Sequence, residues 1–524
     1  MKLSNIIKAM LSIIGSVAFM LSVNAEKVVI LHSNDTHSTI DPLEDGTGGV
    51  LQRKAIIDSV KNVEKNVITV DAGDVVQGTL YFKYFRGAVE YPLMDLMGYD
   101  IRILGNHEFD NGMEELTKYY SATKGTPLSA NYDFTGTSLE GIFLPYIIKE
   151  IGSRKIGFFG LNIDPTSIIA QKNIDVNFLE VIPTANEIAG KLKNELGCDY
   201  VVAVTHIGYD KVNDKPTDVD LARNSTDIDV IIGGHTHTLI DPLHPEINPS
   251  LIPDKNGKPV RVVQTGKQGR VLGKLTLDTD KATGMGGEDW EYELIPVTDR
   301  FPEEKLDQSM KAFILPYREK VDSVNNVVVG RAAYELPKTR LGALPNMTAD
   351  FGLWYARTLT DSLRKEGLRI PPVDMSIMNV GGIRHHIPAG DVTEGLILST
   401  YPFSNRFVII RVKGKDIIEA MRVAAMKGGE AVSGNVRVFS NESGNLLKVE
   451  INGEEMDPEK DYIVGTIDYV AEGNDDLVSL ANHTLVWETE REVSAPILQW
   501  IKQQTAAGLE LRPDPTPRFL KIKE

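Results

Sequence analysis

The chain has 524 residues, 42% of them hydrophobic and 25% charged, and its 73 acidic against 56 basic residues give a formal net charge of −17. A chain of this length exceeds one hydrophobic core, so two or more globular domains are expected. The acidic balance, with no Lys/Arg-rich run against it, excludes a nucleic-acid duplex as partner, but a small anionic substrate stays compatible because a few local cations or metal ions reverse the field inside one cleft.

Taken from the amino end, Lys2 and Lys8 precede an apolar stretch from Ala9 to Val23, and Ser22-Val23-Asn24-Ala25 places small side chains where a signal peptidase reads. The segment 1–25 is therefore predicted to be a removable secretion signal, too short in its apolar run for a span of roughly 20 residues. With no second apolar stretch of that length, an exported protein, periplasmic or extracellular, without a stable membrane anchor after cleavage is expected. Cys198 is the single cysteine, so ordinary cores rather than disulfides hold the fold, and Cys198 itself reads as a small core residue.

From Glu26 onward short apolar runs alternate with helical patterns, the signature of an α/β layered domain. Strands are predicted at Val28 to Leu31, Val67 to Val70, Ile101 to Leu104, Tyr200 to Val204 and Asp229 to Ile232, and helices at Val50 to Val60 and Ala185 to Leu196, the second stopped by Gly197. Runs this uniformly apolar suit strands buried on both faces. Asp278 to Glu288 reads as a turn. Glu303 to Val324 is a charged, helix-periodic connector, and from about Val327 a second α/β pattern begins. Its strands are predicted at Val327 to Ala332, Val373 to Met378, Phe407 to Val412, Leu447 to Ile451 and Tyr462 to Ile467, with helices near Ala349 to Lys365 and Lys415 to Met426. The division expected is 26–300 for the first domain, 301–326 for the connecting helix and 327–524 for the second domain.

Each of the five strands of the first half leads into a metal-competent group: Asp35-Thr36-His37, Asp71-Ala72-Gly73-Asp74, Gly105-Asn106-His107-Glu108-Phe109-Asp110, Thr205-His206, and Gly233-Gly234-His235-Thr236-His237. Singly, such residues are common turn formers after a strand. Together they favour a metal centre, because parallel strands present their carboxyl ends at one edge. A donor set of imidazole, carboxylate and amide without thiolate suits Zn²⁺, Mn²⁺ or Co²⁺ better than a closed structural zinc site. Two such ions sharing one carboxylate would stabilise the attacking and leaving oxygens of an in-line displacement at phosphorus.

These five blocks, in this order and spacing, resemble those of the calcineurin-like metallophosphoesterases. The longer forms Asn34-Asp35-Thr36-His37 and Gly105-Asn106-His107-Glu108-Phe109-Asp110 look like the 5'-nucleotidase/UDP-sugar hydrolase branch. The resemblance implies a four-layer α/β/β/α metallophosphoesterase domain, a connecting helix and a second α/β domain of the 5'-nucleotidase carboxyl-terminal type. It also implies that Asp35, His37 and His237 bind one divalent ion, that Asn106, His206 and His235 bind another, and that Asp74 bridges them. His107, held by Asp110, becomes the residue that stabilises the transferring phosphoryl group, a role that suits a cationic imidazole oriented by a carboxylate. The branch often has Asn or Gln where this chain has His237.

In the second half, Asn379-Val380-Gly381-Gly382-Ile383-Arg384 follows a predicted strand and reads either as a strand-to-loop turn or as backbone and guanidinium prepared for phosphate. Phe403 in Pro402-Phe403-Ser404-Asn405 and Tyr469 in Asp468-Tyr469-Val470-Ala471-Glu472-Gly473-Asn474-Asp475 read by composition alone as core aromatics. In this order the three segments resemble the 5'-nucleotidase carboxyl-terminal domain. By that resemblance Phe403 and Tyr469 stack on the base, Asn379 and Arg384 bind substrate, Asp475 contacts the ribose, and Arg340 matches a second phosphate-binding arginine once a gap is allowed. The family usually has Phe at the position of Tyr469 and Gly-Gly-Asp where this chain has Gly473-Asn474-Asp475. The function so implied is release of phosphate from nucleotides, with nucleotide sugars as further substrates. The other readings are a 2',3'-cyclic-nucleotide phosphodiesterase with 3'-nucleotidase activity, and a non-catalytic nucleotide-binding surface protein, which should have lost ligands that this chain retains.

Overall fold

A computed structural model describes residues 26–164, 176–210, 215–284 and 286–522. The expected signal segment, 1–25, lies outside the described residues, and among the described residues no helix is long and apolar enough to cross a membrane. The five predicted strands of the first half form β1 (Lys27–Ser33), β2 (Asn66–Asp71), β3 (Ile101–Ile103), β4 (Tyr200–His206) and β5 (Val230–Ile232). They do not share one sheet. β1, β2 and β3 are parallel neighbours in a six-stranded sheet ordered Trp290–Pro296, Val271–Asp278, β1, β2, β3, Thr126–Leu128. β4 and β5 are parallel neighbours in a second sheet ordered Leu251–Pro253, Pro259–Val263, β5, β4, Arg154–Asn162, Tyr146–Ile151.

Side-chain alternation explains the layering. Val28 and Ile30 of β1 point into the space between the sheets, against Phe158, Val202, Val204 and Trp290. Val29 and Leu31 point outward under helices, against Ile56, Ile57, Leu93 and Met94. On the far side Val201 and Ala203 of β4 pack with Ala189, Leu192, Leu221 and the buried Cys198. Each such aliphatic side chain contributes roughly 1.5–3 kcal/mol by leaving water. The result is the α/β/β/α order expected, and it accounts for strands apolar on both faces, one face meeting a sheet and the other a helix.

The helix expected over Ala185 to Leu196 runs as an α-helix over Val181–Gly190 and then widens into a π-turn over Lys191–Glu195, ending before Gly197, whose φ is 67°. The connector is a single turn at Glu303–Lys305 followed by α1 (Gln308–Asn325), capped by the Asp307 side chain on the N–H groups of Ser309 and Met310. Met310, Ile314 and Val321 of α1 pack into the outer core of the first half, which Leu398 of the second half also joins.

In the second half β6 (Met375–Met378), β7 (Arg406–Lys413) and β8 (Asp461–Ile467) occupy the middle of a five-stranded sheet. β6 runs parallel to β8, so their carboxyl ends, leading to Asn379 and to Tyr469, lie together. β7 runs antiparallel to β8 with Phe407 opposite Ile467, so its amino end, preceded by Phe403, comes to the same edge. Topology alone thus gathers three segments that are far apart in sequence.

Candidate active site

At the shared edge of the two sheets of the first half the chain turns sharply. Asp35 (φ 49°), His37 (46°), Asp74 (56°), His235 (77°) and His237 (56°) all adopt the left-handed region that non-glycine residues avoid, a concentration of backbone strain expected where function over-determines geometry. The turns are packed backbone to side chain: a Cβ on Gly105 would stand 2.1 Å from Asp74 Oδ1, and one on Gly234 would stand 2.7 Å from His206 Nδ1.

Asp35, His37 and His237 bring donor atoms within 4.8 Å of one another, as do Asp35, Asp74 and His206. Asp35 Oδ1 is 3.4 Å from His237 Nε2 and 3.9 Å from His37 Nε2, and the two imidazole nitrogens are 2.9 Å apart. His206 Nε2 lies 3.2 Å from Asp74 Oδ2 and 4.0 Å from Asp35 Oδ1. His235 Nδ1 meets Asn106 Oδ1 at 2.9 Å, and its ring stands edge-on to that of His206 with centroids 5.3 Å apart. Asp35, His37 and His237 are thus brought together, and Asn106 and His235 pair beside His206. The carboxylate common to the two closest groups is Asp35, while Asp74 sits with His206.

The donor set fits a divalent ion. His206 Nε2 is buried and faces only carboxylates, Asp74 Oδ2 nearest at 3.2 Å, while its Nδ1 hydrogen-bonds the Ala72 carbonyl at 2.7 Å. The Nδ1 of His37 faces the Val76 carbonyl at 3.4 Å in the same way. Backbone carbonyls so placed turn both Nε2 atoms toward the carboxylates, the usual arrangement behind a metal-bound imidazole. Burial lowers His206, but Asp74 and Asp35 outweigh it and lift its pKa to about 10. Burial dominates at His37 and takes it down to about 3, and burial with the His206 charge takes His235 to about 4. A site that holds one imidazole protonated between two carboxylates demands positive charge.

His107 Nδ1 is 2.9 Å from Asp110 Oδ2, and the His107 N–H donates to Asp74 Oδ1 at 2.9 Å. Burial pulls His107 down, but Asp110 and then Asp74 more than offset it and raise its pKa to about 9. Residues quoted in the motifs without a role prove to hold the turns. Glu108 accepts the N–H groups of Gly105 (2.5 Å), Asp74 (3.0 Å) and Val75 (2.8 Å). Asn34 donates to Asp35 Oδ2 at 2.6 Å and to the Gly266 carbonyl at 2.8 Å, and accepts from the Thr265 N–H at 2.8 Å. Gln264, which carries no sequence signal, accepts the Thr238 N–H at 2.5 Å and donates to the Gly234 carbonyl at 2.8 Å.

The two halves meet at this edge. A cavity of about 200 Å³ is lined by Asn106, His107 and Asp110 from the first half and by Asn379, Arg384, Phe403, Tyr469 and Asp475 from the second, together with Asn405, which the sequence reading left without a role. The His107 and Phe403 ring centroids are 6.2 Å apart, and the Arg384 guanidinium lies 5.6 Å from the Phe403 centroid. Asn379 donates to Asp475 Oδ2 at 2.7 Å, and the Tyr469 hydroxyl donates to Asp475 Oδ1 at 3.4 Å. Arg340 is not among the lining residues. It bonds Glu430 Oε1 at 2.5 Å and the Gly429 carbonyl at 2.8 Å, and the other Glu430 oxygen accepts the Val380 N–H at 2.7 Å. Arg340 thereby braces the Asn379–Arg384 loop from behind.

Residues 28–239 match the family model described as calcineurin-like phosphoesterase, and residues 328–482 match that described as 5'-nucleotidase, C-terminal domain. The first half is thus a metallophosphoesterase domain and the second a 5'-nucleotidase C-terminal domain. The pair makes the chain a metal-dependent phosphoric-ester hydrolase. The chain is 29% identical over 505 residues to the trifunctional nucleotide phosphoesterase protein YfkN of Bacillus subtilis, a match that covers 86% of this chain and 32% of YfkN, about a third of its length. It is 27% identical over 468 residues to the 5'-nucleotidase of Bos taurus, covering 81% of this chain and 78% of that one. Among solved structures, the 5'-nucleotidase precursor from Thermus thermophilus superposes with a TM-score of 0.79 at 27% identity, covering 95% of this chain and all of that one.

Proposed function

We propose that the chain is an exported, two-metal nucleotidase divided as 26–300, 301–326 and 327–524, in which Asp35, His37 and His237 hold one divalent ion, Asn106, His206 and His235 hold the other, and Asp74 bridges them. The observation that carries this reading is the single cavity lined by His107 and Asn106 on one side and by Arg384, Phe403, Tyr469 and Asp475 on the other. One molecule with a phosphoryl group at one end and a flat base at the other matches both walls. Divalent ions held by these residues would supply Lewis-acid polarisation of the phosphoryl oxygens and would ease deprotonation of the attacking water near neutral pH. The chain's own residues do the rest. His107, kept protonated by Asp110, donates a hydrogen bond to the transferring group where charge develops. Arg384 offers a planar fork to phosphate. Phe403 and Tyr469 supply stacking faces, and Asp475, fixed by Asn379 and Tyr469, accepts from the ribose hydroxyls.

Nucleotide sugars and 2',3'-cyclic nucleotides fall within the proposed range, and the match to a trifunctional nucleotide phosphoesterase favours breadth over a single substrate. The test is a panel of nucleoside mono-, di- and triphosphates, cyclic nucleotides and nucleotide sugars, assayed with several divalent ions and with a chelator. Phosphate release that needs metal and a nucleobase supports the reading. Turnover indifferent to the chelator, or confined to substrates without a base, contradicts it.

A further inference from the structure

Beneath the turns that carry Asp35 and Asp74 lie an acid and a base with no part in the chemistry described so far: Asp71, 0% exposed, and Arg53, 2% exposed, on the helix Val50–Val63. β1 and β2 end side by side, with Ser33 opposite Asp71. Asp71 Oδ2 accepts the Ser33 hydroxyl at 2.6 Å, and Asp71 Oδ1 accepts the Gly73 N–H at 3.1 Å. Ser33 Oγ is also 2.7 Å from the hydroxyl of the buried Tyr99. Ser33 has one proton and Asp71 receives it, so in this last contact Ser33 accepts and Tyr99 donates. Arg53 supplies the charge behind the line. Burial raises Asp71 to about 6, against its two hydrogen bonds and the Arg53 charge, and burial raises Tyr99 against the same charge. Donors that all point toward one buried carboxylate, with a cation beyond them, polarise one another and make the charge tolerable where water is excluded.

The other end of the line is Gly73. Its φ is 87°, and a Cβ there would stand 2.5 Å from the Gly105 nitrogen and 2.9 Å from His206 Nδ1, so the turn before Asn106 and the His206 ring both pack against it. Its carbonyl accepts the Asp35 N–H at 2.9 Å, and the next residue is Asp74. The segments of Asp35, Asp74, Asn106 and His206 therefore take their spacing from this one residue, and Asp71 holds its N–H. Ala72, between them, donates its N–H to the Ser33 carbonyl at 2.9 Å, and its carbonyl accepts from His206 Nδ1 at 2.7 Å.

We propose that Asp71, with Ser33, Tyr99 and Arg53 behind it, is a positioning residue for the metal centre: it acts on neither ion nor substrate directly, but fixes Gly73 and, through Gly73, the spacing of Asp35, Asp74, Asn106 and His206. This rests on the metal-centre reading of the proposed function. Glu108 holds neighbouring N–H groups, those of Gly105, Asp74 and Val75, and not that of Gly73. The two carboxylates are thus not redundant, and Glu108 does not make good the loss of Asp71. Replacing a side chain that orients metal ligands from behind typically weakens metal binding about ten- to a hundredfold.

The test titrates cobalt(II) into the metal-free full chain and follows the visible absorption of the bound ion, whose bands report ligand geometry, in the wild type, Asp71→Asn, Tyr99→Phe and the double variant. Asp71→Asn should weaken cobalt binding about tenfold or more and shift the bands. Tyr99→Phe keeps the ring and removes only the hydroxyl, so it should weaken binding about threefold in the same direction. The double variant should bind no worse than Asp71→Asn alone, because the hydroxyl acts through the carboxylate. Melting temperatures of the metal-free proteins, read in parallel, separate stability from geometry. Wild-type cobalt affinity and spectrum in both single variants, even with lowered melting temperatures, would make the line structural only and overturn the proposal. Losses that add in the double variant overturn it as well. If Asp71→Asn does not fold, Tyr99→Phe decides alone, and unchanged affinity and bands there overturn it. A wild type that binds no cobalt overturns the metal-centre reading and the proposal with it.

Discussion

Glu108 gives the sharpest test of how the metal turns are held, because its one carboxylate ties three backbone N–H groups from two loops. In Glu108→Gln one oxygen becomes an amide donor. If the remaining oxygen keeps Gly105 and Asp74, the NH₂ group confronts the Val75 N–H, and a buried donor loses its acceptor. Leaving such a group unsatisfied costs about 1–3 kcal/mol, and the two surviving bonds weaken to the extent that Glu108, raised to about 7 by burial and then by Asp74, is ionised in the wild type. A total of about 2–3 kcal/mol should lower the melting temperature by roughly 5–10 °C, at a few degrees per kcal/mol for a domain of this size. The loss should also reach the chemistry, because Asp74 Oδ1 accepts the His107 N–H and both depend on the turn that Glu108 closes. Calorimetry of the metal-loaded protein, paired with metal analysis and kcat/KM on an aryl phosphate, reads all three effects. A Glu108→Gln protein with wild-type melting temperature, metal content and turnover would refute this account of the site's rigidity.

His107→Ala should lower kcat on the order of a hundredfold or more while leaving metal content near that of the wild type; metal loss matching His235→Ala would make His107 a ligand instead. Asp110→Asn removes the charge that, against burial, raises His107 to about 9. If protonated His107 is the active form, the alkaline limb of kcat/KM should move down by about one to three pH units in the variant. Bound metal ions shift the limb in both enzymes, so the difference between the two profiles is the readout, and coincident limbs would separate Asp110 from His107 function. Phe403→Ala or Tyr469→Ala should cut kcat/KM for nucleotides about ten- to a hundredfold and leave an aryl phosphate far less affected, whereas equal losses on both would indicate a folding defect.

The positions of the metal-competent residues were legible because each follows an apolar run, and the strand ends observed at Ser33, Asp71, Ile103, His206 and Ile232 stand within two residues of those expected. What periodicity alone does not carry is the division of those strands between two sheets. A strand apolar on both faces looks the same whether the second face meets a helix or another sheet. The partner of Arg340 was equally hidden: whether a guanidinium turns to substrate or to Glu430 depends on a residue 90 positions away. Gln264 lies in no recognisable pattern, and only the tertiary arrangement brings it to the turn that carries His235 and His237. The convergence of Asn379, Phe403 and Tyr469 follows from the directions of β6, β7 and β8, which strand propensities do not encode.

A centre of two ions spanned by Asp74 is read out by counting the metal bound per chain. Elemental analysis after chelation and reconstitution, run in parallel on the wild type and Asp74→Asn, should give two divalent ions per wild-type chain, with activity that vanishes on chelation and returns with metal. The variant should bind fewer than two ions and lose most of its turnover. Full activity with two ions retained in Asp74→Asn, or a wild type active with one ion or none, would contradict it.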